Sequence, residues 1–315
     1  MVTSSLNPNV VKTFLDGMFY PEWDIDELPH IATAEDPMIF MQGTSDKAQE
    51  TTEEFRGVGA WETRGELQDA PEGQPQSLYT TTFVNSALAK GCTIPKRFFD
   101  DDQVNMIENV IKDFAEKGRA AKNKDAFSVY RNAFSTTLGL IGDAVALISA
   151  SHPIVGGTES NLLTSVLNES AINDAIVLLG EQAERDGVVM GRMPHFLLVP
   201  MARFKSACII TESELRSGTN NNDENVYSTK YNIFVKTSPY LGAAISGGSD
   251  ARWFMGARRH GVRRFLREDV NTHMIPWQNS KNRTYFYDGE FRQSVGAQSY
   301  IGLVGSNATT GSYDL

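Results

Sequence analysis

Between Ser149 and Ala207 the chain changes type repeatedly within a short span, and this restricts the fold more than any other feature. The stretch opens with turn-formers: Ser151-His152-Pro153, then Gly156-Gly157-Thr158-Glu159-Ser160-Asn161. Leu162, Leu163, Val166, Leu167, Ile172, Ile176, Leu179 and Ala183 then recur at helical spacing, which predicts a helix over 161–184 ended by Gly187. Phe196–Val199 reads as a short buried strand, and Pro200 suits the first turn of a second helix running through Ala207. Further apolar runs follow at Tyr231–Lys236, Trp253–Met255 and Tyr285–Tyr287, with Phe291 after Asp288-Gly289. Strands and helices that alternate without a regular βαβ period predict an α+β fold.

The clearest isolated helix signal begins at Asp100-Asp101-Asp102, whose carboxylates suit a helix N-terminus. Val104, Ile107, Val110, Ile111, Phe114 and Ala115 follow on one face, and Ala126, Phe127, Tyr130 and Phe134 resume the period. This predicts either one kinked helix from Asp101 to Phe134 or two helices broken at Gly118–Asn123. Leu138–Ile148 reads as a hairpin with Gly142-Asp143 at its tip.

Residues 54–85 predict a longer hairpin. Phe55, Val58, Ala60 and Trp61 mark one strand and Leu78–Val84 the other, around an acidic, Pro/Gly-rich tip at Gly65–Pro75. A lone hairpin is marginal in water, so this one needs cover from its own core or from another chain. Trp61, Tyr79 and Phe83 are the side chains such cover would bury. Pro8, Pro21, Pro29 and Pro37 interrupt the first 53 residues, which carry apolar side chains singly or in pairs. Either a mobile tail or an arm docked on neighbouring subunits would look like this, and the spaced aromatics suit an arm. Leu215–Asn225 is a Gly/Asn-rich loop, Ser217–Asp223 at its centre.

The formal net charge of −10 argues against a protein that binds nucleic acid through overall phosphate neutralisation. Against that background Arg258, Arg259, Arg263, Arg264 and Arg267 crowd one short stretch beside His260. They suit carboxylates of a neighbouring subunit, contact with DNA, or a solvated face paired to Glu268 and Asp269. No His-Glu-x-x-His, Gly-x-Ser-x-Gly, dinucleotide or phosphate-loop pattern occurs, so no catalytic residue, cofactor or metal site is expected. Gly247-Gly248-Ser249-Asp250 lacks the Lys of a phosphate loop and reads as a turn. Met1–Tyr20 does not read as a secretion signal, no apolar run is long enough to span a membrane, and Cys92 and Cys208 suit a reducing compartment.

The order of these elements resembles the Hong Kong 97-type capsid fold of tailed-bacteriophage head proteins. The carriers are the Leu138–Asn161 stretch (hairpin, then Ser151-His152-Pro153, then Gly156-Gly157-Thr158-Glu159-Ser160-Asn161) and the Leu197–Ala207 stretch. Both are similar to Mu-like head subunits. The resemblance implies an N-terminal arm at 1–53, an extended hairpin loop at 54–90 and a peripheral domain with a spine helix at 91–155 and 270–315. It puts an axial domain at 156–269. It also implies a homo-oligomeric virion subunit, not an enzyme, assembled in the host cytoplasm. Hexamers and pentamers would enclose double-stranded DNA, with separate scaffolding and portal proteins, a possible decoration protein and no membrane. An encapsulin-like compartment shell has the same fold, and an enzyme with an unrecognised site is a further alternative. Family members that cross-link use a hairpin-loop Lys, and none lies between Lys47 and Lys90 here.

Overall fold

The computed structural model describes residues 7–25, 27–66, 68–101, 104–215 and 223–309. The chain begins with α1 (Pro8–Trp23), β1 (Met41–Thr44), β2 (Gln49–Arg56), β3 (Gln76–Val84) and β4 (Ser86–Pro95). The helices α2 (Lys96–Asp100), α3 (Val104–Ala126) and α4 (Ser128–Arg131) follow. Short strands β5 (His152–Ile154), β6 (Gly157–Glu159) and β7 (Leu162–Leu163) precede α5 (Glu169–Glu181), β8 (Pro194–Pro200) and α6 (Phe204–Thr211). The remainder is β9 (Phe234–Ser238), β10 (Trp253–Ala257), β11 (Val262–Ile275), β12 (Thr284–Ala297) and β13 (Leu303–Ser306).

Two sheets organise the molecule. One has the order β1-β11-β12-β4 and the other β7-β13-β10-β8-β9. Phe40, Phe127, Tyr130, Phe196, Phe254 and Tyr300 share one buried cluster. A second cluster packs Ile172, Ala175 and Leu179 of α5 with Leu197 and Val199 of β8 and Trp253 of β10. The mixed content is that of the expected α+β class.

The N-terminal segment departs from the expectation of an arm or a tail. Asn7 caps α1 by accepting the Asn9 N–H at 3.0 Å, and Pro8 supplies the helical φ. Pro21 falls in the last turn, where it interrupts little. Val11, Leu15, Phe19 and Trp23 lie four apart, so they line one face, and all are buried with Ile107, Ile111 and Ala115 of α3. Further on, Ala32, Ala34, Ile39 and Phe40 enter the central cluster. This segment makes no core alone, but it completes that of its own subunit.

Helix α3 is continuous through Gly118, where one of the two readings placed a break. A Cβ there would lie 2.8 Å from the Trp23 ring, so glycine makes room for α1. The helix ends at Ala126 rather than Phe134, and α4 carries the chain onward. Asp100 pairs with Lys96 within α2 instead of capping α3, and Asp102 lies outside the described residues. The helix expected over 161–184 is shorter, because Asn161 is taken by the backbone of the body: its Nδ2 donates to the Leu147 and Leu303 carbonyls. Asn168 caps α5, accepting the Ala171 N–H at 2.7 Å. Leu138–Ile148 forms turns with a single bridge, Leu140 to Ala146, rather than a hairpin. Of the Gly/Asn-rich loop, residues 216–222 lie outside the description. The expected boundary at 269–270 falls inside one unbroken strand, β11.

Candidate functional site

The hairpin leaves the body as the β2–β3 ribbon, paired from Gln49↔Val84 to Arg56↔Gln76. Residues 57–75 continue beyond it with almost every described side chain exposed. The strand thus starts and ends earlier than the apolar pattern suggested, and Val58 and Trp61 lie in the loop. Trp61 is 100% exposed, with nothing among the described residues covering it. Tyr79 is half-buried, with the Arg185 guanidinium 4.9 Å from its ring centroid. Phe83 is buried edge-on to Phe265 at 5.1 Å, and a Cβ at Gly296 would lie 2.9 Å from its ring. Phe83 is therefore committed to its own subunit and is not free for a neighbour. Of the three aromatic candidates, only Trp61 stands fully open.

Polarity at the hairpin base is inverted. Phe55 is 63% exposed whereas Glu54 is buried, because alternate strand residues face opposite sides. Arg185 grips Glu54 with two 3.0 Å bonds, donates to the Pro153 carbonyl at 3.0 Å and lies 2.9 Å from Asp143. His152 Nδ1 is 2.9 Å from the same Asp143 oxygen, and its ring stacks on Tyr300 at 4.2 Å. Burial works to raise the Asp143 pKa, but His152, the Val145 N–H and Arg185 hold it below the usual carboxylate range. Burial likewise works against the Arg185 charge, and Glu54 and Asp143 outweigh it, raising its pKa. Sequence reasoning missed this cluster. Asp143 reads as a turn tip and His152 as part of a turn, and no local signal joins Glu54 to residues so far along the chain.

The arginine run divides in two. Arg264 is buried, its guanidinium donating to Gln293 Oε1 at 2.9 Å, Gln42 Oε1 at 3.2 Å and Glu35 at 3.5 Å. Burial lowers its pKa despite Glu35, Asp269 and Asp125. It holds β1 and β12 together and is not a surface contact. Arg258 and Arg259 are exposed and Arg263 and Arg267 half-exposed, and none of the four makes an ion pair among the described residues. The solvated pairing with Glu268 and Asp269 does not form. Arg258, Arg259 and Arg263 instead line a groove of about 660 Å³ with Phe55, Met190 and Met193. His260, behind that groove, is held neutral: burial pushes its pKa down to about 4, against a hydrogen bond to the Met38 carbonyl at 3.1 Å.

A second groove, about 640 Å³ and largely apolar, runs between α3 and β4, the edge strand of its sheet. Phe19, Trp23, Leu88, Val110, Phe114 and Phe291 line it. Among the described residues no His/Cys/Asp/Glu cluster could hold a metal, and no helix is long and apolar enough to cross a membrane.

The sequence profile of the family described as phage capsid protein matches residues 84–298. No curated protein matches the chain. Among solved structures, that of Microbacterium phage Oxtober96 superposes with a TM-score of 0.56 at 10% identity, over 90% of this chain and 94% of that one. The capsid of Myoviridae phage XM1 gives 0.53 at 10% identity, over 91% and 95%. A virus-like particle from Pyrococcus furiosus gives 0.51 at 10% identity, over 94% and 98%. At such identities the likeness is one of fold.

Proposed function

The chain belongs to the phage capsid protein family and has the Hong Kong 97-type fold, and from that premise we propose that it is the major head subunit of a tailed bacteriophage. Its work is structural rather than enzymatic: hexamers and pentamers of this subunit close an icosahedral shell around double-stranded DNA. The four-stranded sheet with α1 and α3 serves as the peripheral domain. The five-stranded sheet with α5 and α6 serves as the axial domain.

The observation that carries this reading is the projecting hairpin. Its base is locked by buried charges while the described residues of 57–75, Trp61 included, are almost all exposed. A tip of this kind becomes ordered by lying on a neighbour. Specific interfaces bury roughly 1,200–2,000 Å², and closed symmetry repeats each contact around every ring. Scaffolding and portal proteins act as separate partners, a decoration protein is an optional addition, and assembly takes place in the host cytoplasm. The two sequence stretches quoted above favour a Mu-like subunit within the family.

Electron microscopy of the purified chain, expressed with and without its scaffold, tests the reading. Closed shells or rings are expected, with DNA inside particles from infected cells. A folded monomer under all conditions would exclude it. Shells filled with a protein cargo and free of DNA would favour the compartment alternative.

A further inference from the structure

A subunit with a formal net charge of −10 repels its copies, so self-association needs local patches of opposite sign. Two such patches are present. The hairpin tip carries Glu62, Glu66, Asp69 and Glu72 against Arg64 alone. The groove beside β11 carries Arg258, Arg259 and Arg263 without an ion-pair partner among the described residues, and the Arg263 Nε is buried with no hydrogen-bond acceptor. The groove's own acids are largely spent: Glu54 is held by Arg185, Glu184 by Arg192, and Glu53 accepts the Ser77 hydroxyl at 2.9 Å.

The apolar parts match as well. The loop presents Val58 and Trp61, 56% and 100% exposed, and the groove presents Met190 and Met193, 56% and 66% exposed. Thioethers and aromatic rings contact each other favourably. Guanidinium groups pair carboxylates in a fixed, two-pronged geometry.

We propose that this groove is the seat for the acidic hairpin tip of a second copy of the chain. The inference rests on the shell-subunit reading and says which surface the hairpin meets. Loop into groove is a head-to-tail contact, and contacts of that kind close into rings when the rotation between copies divides a full turn.

Charge exchange tests it. One variant carries Arg258→Glu, Arg259→Glu and Arg263→Glu; the other carries Glu66→Lys, Asp69→Lys and Glu72→Lys. Circular dichroism checks that both fold, and Arg258→Gln with Arg259→Gln replaces the first if it does not. Each alone should lower the assembled fraction at least ten-fold under conditions where the unaltered chain assembles. Joining both sets in one chain should restore assembly, because every tip then meets an opposite groove, and mixing the two variants should restore rings of even number, in which the two alternate. Recovery on mixing also requires that the contact be between copies.

Normal assembly of the arginine variant would overturn the seat and leave the shell reading standing; empty shells with impaired DNA packaging would reassign the groove to DNA. Failure of both restorations would overturn it too. Where the unaltered chain forms no shells, disulfide trapping of Asp69→Cys with Met193→Cys, in a chain carrying Cys92→Ser and Cys208→Ser, decides. Cross-linked oligomers would keep the seat without the shell, and their absence would remove both.

Discussion

Arg185 holds Glu54 across 131 residues of sequence by two parallel hydrogen bonds of 3.0 Å, and this pair decides how the hairpin leaves the body. Both side chains are nearly inaccessible, at 1% and 7%. Removing Arg185 strands the Glu54 carboxylate in a medium that solvates it poorly, and removing Glu54 leaves the guanidinium with Asp143 as its sole carboxylate among the described residues. Glu54→Gln or Arg185→Met should each destabilise the subunit by about 3–5 kcal/mol in urea unfolding. The combined Glu54→Gln, Arg185→Met chain should be less impaired than the two losses added together. Strict additivity would mean that the pair is not coupled.

A second prediction concerns pH. The His260 ring donates from Nε2 to the Met38 carbonyl and accepts the Val262 N–H at Nδ1, 3.3 Å away, so a second proton has no acceptor. Burial depresses its pKa from 6.5 to about 4, so between these values the unfolded chain binds the proton and the folded chain does not. Stability from this residue is fully present above pH 6.5 and is lost as the pH falls to about 4, by about 3 kcal/mol in all. His260→Leu should flatten the dependence of unfolding free energy on pH in that window. An unchanged slope would show that other groups cause it.

Arg263 and Arg264 are neighbours on β11 with opposite surroundings. Arg264→Ala leaves the Gln293 and Gln42 amide oxygens without their donor and should cost about 2–4 kcal/mol. Arg263→Ala should change subunit stability by no more than about 0.5 kcal/mol. Denaturant titration of the two single variants checks the strand register directly. A double charge reversal at these positions would disrupt the fold and so could not report on assembly.

The loop can be tested without disturbing the body. Replacing Gly59–Gly73 by a short Gly-Ser turn should leave the melting temperature of the free subunit unchanged while assembly fails or gives fragile shells. Trp61→Ala should weaken assembly in the same direction and leave the melt alone. Hydrogen exchange should show residues 57–75 protected in shells and open in free subunits. Equal protection in both states would place the loop against its own subunit.

Much of the architecture can be read from local pattern. Phe196–Val199, the apolar face of α3 at Ile107, Ile111 and Ala115 and the runs at Trp253–Met255 and Tyr285–Tyr287 announce themselves because their burial follows their own periodicity. What local pattern misdirects is equally specific. Phe55 reads as core and Glu54 as surface, yet the reverse holds, since Arg185 and the Ser299 hydroxyl make the carboxylate tolerable inside. Gly118 reads as a helix break because its reason, the Trp23 ring, lies on another helix. Asn161 reads as the start of a helix, although its amide serves two carbonyls from remote segments. Asn168 was a legible cap that the continuous apolar spacing on either side concealed. Of the arginine run, clustering was visible but sidedness was not, because the strand's facing depends on its partners β1 and β12.

The place of β13 in its sheet has a consequence for synthesis. Leu303–Ser306 is inserted between β10 and β7, antiparallel to one and parallel to the other, so an interior position is filled by nearly the last described residues. Until the ribosome has passed Ser306, β10 has an open edge and Phe254 and Met255 lack part of their cover. A growing chain that has not yet exposed Ser306 therefore cannot present the finished five-stranded sheet to others on the same message. Completion of this sheet comes first and association through it second, an order written into strand order.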